Sequence, residues 1–315
     1  MSNQSSKDNI IPSYAETLKE IGAELQRRKS VFLKRIVMLL WAPAVALIML
    51  FIFAIKFQGW SSVDAFLEHQ WIAYTSLALF VGTLCYYGVI SFIFSIEKRL
   101  WIDAHFDEKH LDPKESWRIA KRLFIPALRL QLIAIAQYLF PALVVLAIVS
   151  FAYYYALTIP RFQNNDFVLI LLAPISGVFA IYVFYLRIIL RYVPFIFLDR
   201  IKTKSFSALG VLKEMRQLNN IAKKQTHVRT LTTYLSSIAA TGGVSEVARY
   251  MQAGIGQNVH VSGKILGAFG RLFTEEVTKQ TLSIAKIVTV YLLYKEVRRI
   301  AYGKEQEINE HIYKN

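Results

Sequence analysis

The sequence predicts an all-α membrane protein in which four transmembrane helices are flanked by amphipathic cytoplasmic helices at the N- and C-terminal ends. Two observations predict it. Four stretches, Ile36–Phe57, Ile72–Ile96, Ile133–Leu157 and Phe167–Ile189, are apolar all round and lack the polar stripe that a soluble core helix carries. Each is about 22–25 residues long, and roughly 20 cross the hydrocarbon of a bilayer at 1.5 Å per residue. The second observation is where the positive charge falls. Arg27, Arg28, Lys29, Lys34 and Arg35 precede the first stretch. Lys98, Arg99, Lys109, Lys114, Arg118, Lys121, Arg122 and Arg129 lie between the second and third, and Arg191, Arg200, Lys202 and Lys204 follow the fourth. The other two connections are nearly bare: Gln58–Trp71 has no Lys or Arg, and Thr158–Asp166 has only Arg161. The positive-inside rule then places both termini in the cytoplasm of a multi-pass protein of the cell membrane.

This divides the chain into an N-terminal amphipathic helix (1–35), a four-helix membrane domain (36–199) with a cytoplasmic loop (97–129), and a basic helical C-terminal region (200–315). Trp60, Trp71 and the run Tyr153–Tyr155 suit an interfacial aromatic belt. Ser13 and Glu16 form a capping box, and Tyr14, Leu18, Ile21 and Leu25 recur as a heptad-like stripe. Asp112, Pro113 and Glu115 start a second cytoplasmic helix through Trp117 and Leu123, which Pro126 bends as it meets the membrane. After the fourth span, Phe206, Leu209, Leu212 and Met215 form a row at a spacing of three. Thr230–Gly270 is expected as helical pieces broken at Gly242-Gly243 and around Gly254 and Gly256. A last helix is expected over Phe269–Tyr302, with Gly303 as its stop. Its most apolar part, Leu282–Tyr294, is too short to span and contains Lys286, so it reads as interfacial or self-associating.

The halves also echo one another. Pro43 and Pro141 stand 98 residues apart, Gly82 and Gly177 95 apart, and Asp103 and Asp199 96 apart. Two hairpins, each followed by a cytoplasmic helix, would make a parallel repeat.

The formal net charge of +15 suits cytoplasmic loops facing anionic headgroups, and no nucleic-acid recognition motif accompanies it. The one cysteine, Cys85, lies in the second span, so no intramolecular disulfide forms. Asp103, His105, Asp107, Glu108, His110 and Asp112 are the residues most like a site. His residues five apart sit badly for a metal, and Asp103, Asp107 and His110 share a face only if the second span's helix continues that far. The plain alternative is a solvated loop. Gly254-Ile255-Gly256 lacks the third glycine and preceding strand of a dinucleotide site, and His227 and His260 stand alone. No cofactor is therefore expected, and no enzyme. No Asp, Glu, Lys, Arg or His lies near the middle of a span, which disfavours an ion-coupled transporter.

Arg191-Tyr192-Val193-Pro194-Phe195-Ile196-Phe197-Leu198-Asp199, with Ser205 and Ala208-Leu209, resembles bacterial membrane families related to the membrane domain beside some glycerophosphodiester phosphodiesterases. The resemblance covers Ser116–Met215 and implies a non-catalytic membrane domain of a bacterial inner membrane. The chain departs from that pattern after Met215, where a basic tail replaces further spans.

The expected function is that of a scaffold or assembly subunit at the cytoplasmic membrane surface. Anionic lipid or a partner would be bound by Lys295, Arg298 and Arg299, and by Lys202, Lys204, Lys223 and Lys224. Protein partners or a second copy would meet helices 13–32 and 269–302. The alternatives are a channel or transporter subunit of an oligomer, and a lipid-headgroup enzyme using the 103–112 loop.

Overall fold

The computed structural model describes residues 14–56, 70–109, 111–157, 165–221, 224–256 and 261–313, and these are helical apart from short turns. The helices are α1 (Tyr14–Arg27), α2 (Lys29–Lys56), α3 (Gln70–Phe106), α4 (Pro113–Tyr138), α5 (Phe140–Leu157), α6 (Asn165–Ile189), α7 (Val193–Lys202), α8 (Ala208–Ile221), α9 (Lys224–Gly256) and α10 (Val261–Tyr313). A 3-10 turn, Leu190–Tyr192, joins α6 to α7.

Among the described residues, two helical stretches are long and apolar enough to cross a membrane, Tyr74–Phe106 and Gly177–Lys202. A third arises if α4 and the start of α5, bent by 44° at their junction, count as one. The third predicted stretch, Ile133–Leu157, straddles that bend, so a bent pair replaces a single straight helix. The bend sits beside Pro141 and not at Pro126, which α4 carries in its interior. Pro141 has no N–H to donate and its ring crowds the carbonyl four residues back. The chain nevertheless stays helical there, with Leu143 N–H bonded to the Leu139 carbonyl at 3.0 Å. The first predicted stretch falls on α2, and part of it lies outside the described residues, as do Ser13 of the capping box and Trp60.

Three other boundaries differ from expectation. α9 runs unbroken through Gly242 and Gly243 to Gly256. An interior glycine costs about 1 kcal/mol, less than interrupting the hydrogen-bond ladder of a 33-residue helix. α10 passes Gly303 and continues to Tyr313. In α8 the buried face is Val211, Leu212, Met215 and Leu218, whereas Leu209 is exposed and Phe206 lies before the helix against Phe197.

The chain divides into two compact units, one formed by Met1–Arg122 with Leu235–Val288 and the other by Leu123–Tyr234 with Thr289–Asn315. In the first, α2 packs along α3, with Phe32, Ile36 and Leu39 buried and the Phe32 and Phe94 rings 5.8 Å apart. Ile284, Ile287 and Val288 of α10 are buried there too. In the second, the core is Tyr192, Phe195, Ile196 and Phe197 with the buried face of α8 and with Tyr291, Tyr294 and Val297 of α10. The Phe195 ring lies 5.2 Å from Tyr291 and 5.7 Å from Tyr294.

One contrast runs along α3 and again along α6–α7. Tyr74, Leu77, Phe80, Val81, Leu84 and Val89 are exposed, while Ile93, Phe94, Ile96, Glu97, Lys98, Ile102 and Asp103 are buried. Val178, Ile181 and Tyr185 are exposed, and from Leu186 through Leu198 most side chains are buried. Each helix leaves an apolar surface bare at one end and plugs into a packed base at the other.

Candidate functional site

The base of the first unit is organised around a carboxylate. Glu97 is fully buried and accepts two parallel hydrogen bonds from Arg35, from Nε at 3.0 Å and Nη2 at 3.1 Å. The Ser116 hydroxyl donates to it at 3.0 Å and accepts from the Trp101 indole at 2.9 Å. The Arg35 guanidinium lies over the Trp117 ring, 4.1 Å from its centroid. Asp112 caps α4 by accepting from the Lys114 and Glu115 N–H groups, which holds Ser116 and Trp117 in place. Lys98, also buried, donates to Gln280 Oε1 at 2.6 Å and Ser283 Oγ at 2.7 Å.

Beside this network is a cavity of about 250 Å³. Arg28, Trp101, His105, Glu108 and Lys109 are among its polar lining, and Ile21, Leu25 and Leu111 supply apolar wall. Ile21 and Leu25, half of the predicted N-terminal stripe, thus face the protein's own interior. Arg28 bonds Glu24 and the Leu111 carbonyl and lies over Trp101. The Arg28 hydrogen bond holds the Glu24 carboxyl below the usual carboxylate range.

Within the predicted Asp103–Asp112 cluster, α3 does continue through Asp103 to Phe106. Asp103 is buried, so it is no part of a solvated loop. His105 is half-buried and lies 3.8 Å from Glu20. His110 lies outside the described residues, and among those described no three His, Cys, Asp or Glu side chains group as metal ligands.

The base of the second unit is organised around Asp199. It accepts from the Tyr294 hydroxyl at 2.7 Å and pairs with Arg298. Burial, with Asp199 alongside, pushes the Tyr294 phenol above the usual tyrosine range. Glu214 accepts twice from Arg200, at 2.9 and 2.7 Å. Of the predicted basic residues, Arg298 is therefore committed to an internal pair and also lies over the Tyr294 and Tyr302 rings. Lys202, Lys204, Lys295 and Arg299 are exposed, and Lys295 lies over Tyr291 at 5.2 Å. Lys223 and the side chain of Lys224 lie outside the described residues.

Sequence reasoning missed Glu97, Lys98 and Arg191 as interior groups. Lys98 and Arg191 count as positive-inside charge, yet both are buried. The signal available was a carboxylate next to the end of an apolar stretch, where desolvation demands a partner. No family model, curated protein or solved structure matches this chain.

Proposed function

We propose that this protein is a non-enzymatic, four-span protein of the cell membrane, with both termini cytoplasmic, whose packed helical base serves as a scaffold or assembly subunit. The observation that carries this reading is the change along α3 and α6–α7 from bare apolar surface to buried, hydrogen-bonded base. A bare apolar helix face suits lipid, and a polar network closed off from it suits a body at the headgroup and aqueous side. Lys202, Lys204, Lys295 and Arg299 then supply cations for anionic headgroups or an acidic partner surface, each worth about 1 kcal/mol near such a membrane. From Ile284 to Val297 the apolar side of α10 is covered by its own chain, with Tyr291 and Tyr294 against Phe195. Basic residues, and not an inserted apolar face, therefore make the contact.

Reporter fusions test the topology. Fusions after Asp64 and Phe162 should report the outer side, and fusions after Lys109, Asn220 and Asn315 the cytoplasm. A fusion after Asn315 on the outer side would end the four-span reading. Crosslinking in native membranes should recover the same partner from wild type and lose it from a variant with Lys202, Lys204, Lys295 and Arg299 changed to Gln.

A second reading, an enzyme acting on a lipid headgroup, is favoured by the cavity beside His105 and Glu108. Stoichiometric zinc or manganese in the purified protein, lost on His105→Ala, would turn the assignment to it.

A further inference from the structure

The 3-10 turn between α6 and α7 carries a cation with no anion beside it among the described residues. Arg191 is only 4% exposed. Its Nη1 is 2.9 Å from His227 Nδ1, and its guanidinium lies over the Tyr192 ring at 4.4 Å. Its Nε and Nη2, both shut off from solvent, have no hydrogen-bond partner. Those two atoms form the edge of the guanidinium that binds an oxyanion through two parallel hydrogen bonds. Among the described residues, no carboxylate lies within ion-pair distance of Arg191, whereas buried Glu97, Glu214 and Glu276 each have a cation beside them.

The surroundings suit added negative charge. His227 is the fourth described residue of α9. Burial, and then Arg191 beside it, holds His227 below the ordinary histidine range, and its ring also bonds the Asn219 backbone. A neutral ring accepts from Arg191 at Nδ1, which leaves the guanidinium's other edge free. The turn stands where the exposed apolar face of α6 gives way to buried base, which on the membrane reading is the depth of phospholipid phosphates.

We propose that the Nε and Nη2 edge of Arg191 is an oxyanion site that takes a phosphate group, supplied by the headgroup of an anionic phospholipid. The source of the phosphate rests on the membrane reading above; the site itself does not. A buried guanidinium without a counter-charge is costly, and a bound phosphate removes that cost by filling both open donors.

The test uses the full chain in a phosphate-free maltoside detergent, with thermal unfolding followed against phosphatidylglycerol in mixed micelles and, separately, against inorganic phosphate at constant ionic strength. Phosphatidylglycerol should raise Tm saturably, and Arg191→Lys, which keeps the charge and loses the fork, should need at least about tenfold more lipid. Inorganic phosphate matching the full rise would keep the site and assign it to the free ion. An unchanged titration in Arg191→Lys overturns the proposal, as does a wild type that responds to neither. If Arg191→Lys does not fold, native mass spectrometry of the delipidated wild type decides, with one retained phosphate-bearing adduct per chain expected and none overturning the proposal. The variant with Lys202, Lys204, Lys295 and Arg299 changed to Gln should keep this saturable site while losing salt-sensitive vesicle binding. That separates failure of the surface role from failure of the site.

Discussion

The turn after α3 and the turn after α7 are built alike. Glu108 and Lys204, 96 residues apart, both sit at φ 54°. After α3, the N–H groups of Asp107, Glu108 and Lys109 bond the carbonyls of Asp103, His105 and Ala104; after α7, those of Thr203, Lys204 and Ser205 bond Asp199, Ile201 and Arg200. Every pair is displaced by the same 96 residues. Tyr86 and Tyr182, again 96 apart, each donate to a carbonyl of an earlier helix, Met38 at 2.9 Å and Tyr138 at 2.6 Å. The echo of Asp103 in Asp199 is thus an echo of backbone structure. The charges set into the two frames differ. In the first unit the buried carboxylate of Glu97 is met on both oxygens. In the second the buried guanidinium of Arg191 is left open on one edge. A repeated frame can hold a closed network in one copy and a vacant valence in the other, and the vacant one is where a ligand is expected.

The largest effect should come from unpairing the closed network. Glu97→Ala leaves Arg35 a mostly buried cation without an anion and should cost about 3–5 kcal/mol. Arg191→Met, measured without phosphate, should stay within about 1 kcal/mol of wild type, since it removes a charge that has no anion to lose. Denaturation in detergent measures both, and equal losses would break the contrast.

Next is Asp199→Asn, which removes the acceptor for Tyr294 and the partner of Arg298. We expect a loss of about 1–2 kcal/mol, reduced from the buried case because the Arg298 side chain is 34% exposed. The paired turns should respond together. Glu108→Gly and Lys204→Gly each relieve a left-handed residue and should stabilise by up to about 1 kcal/mol, to the same extent in both. Unequal effects would mean that the shared backbone pattern hides different strain.

The smallest effect is a dependence on pH at the cavity. Arg28 lowers the Glu24 pKa from its ordinary 4.5, so this stabilisation is present above about pH 4.5 and is lost as pH falls through the lowered value. Glu24→Gln should therefore cost about 0.3–0.5 kcal/mol at neutral pH and little in acid, the partly exposed pair being screened by solvent. A pH-independent difference would remove Arg28 as the cause.

Much of the frame is legible in the residues themselves. A run apolar all round must be helical to satisfy its backbone in lipid. Asp112 before Pro113 caps a helix by local chemistry, and the spacing of Asp103 from Asp199 is visible without any fold. Glycine pairs misled at Gly242-Gly243 because their cost is local and small, while a long helix is held by its whole ladder. The site was not legible because its parts are distant: Arg35 meets Glu97 across 62 residues, and Lys98 meets Gln280 across 182. A lysine or arginine after an apolar run reads the same whether it faces water, like Lys202, or is buried, like Arg191. Residue type sets a charge's cost of burial, but only the packing of other helices around it decides whether that cost is incurred and whether a partner meets it.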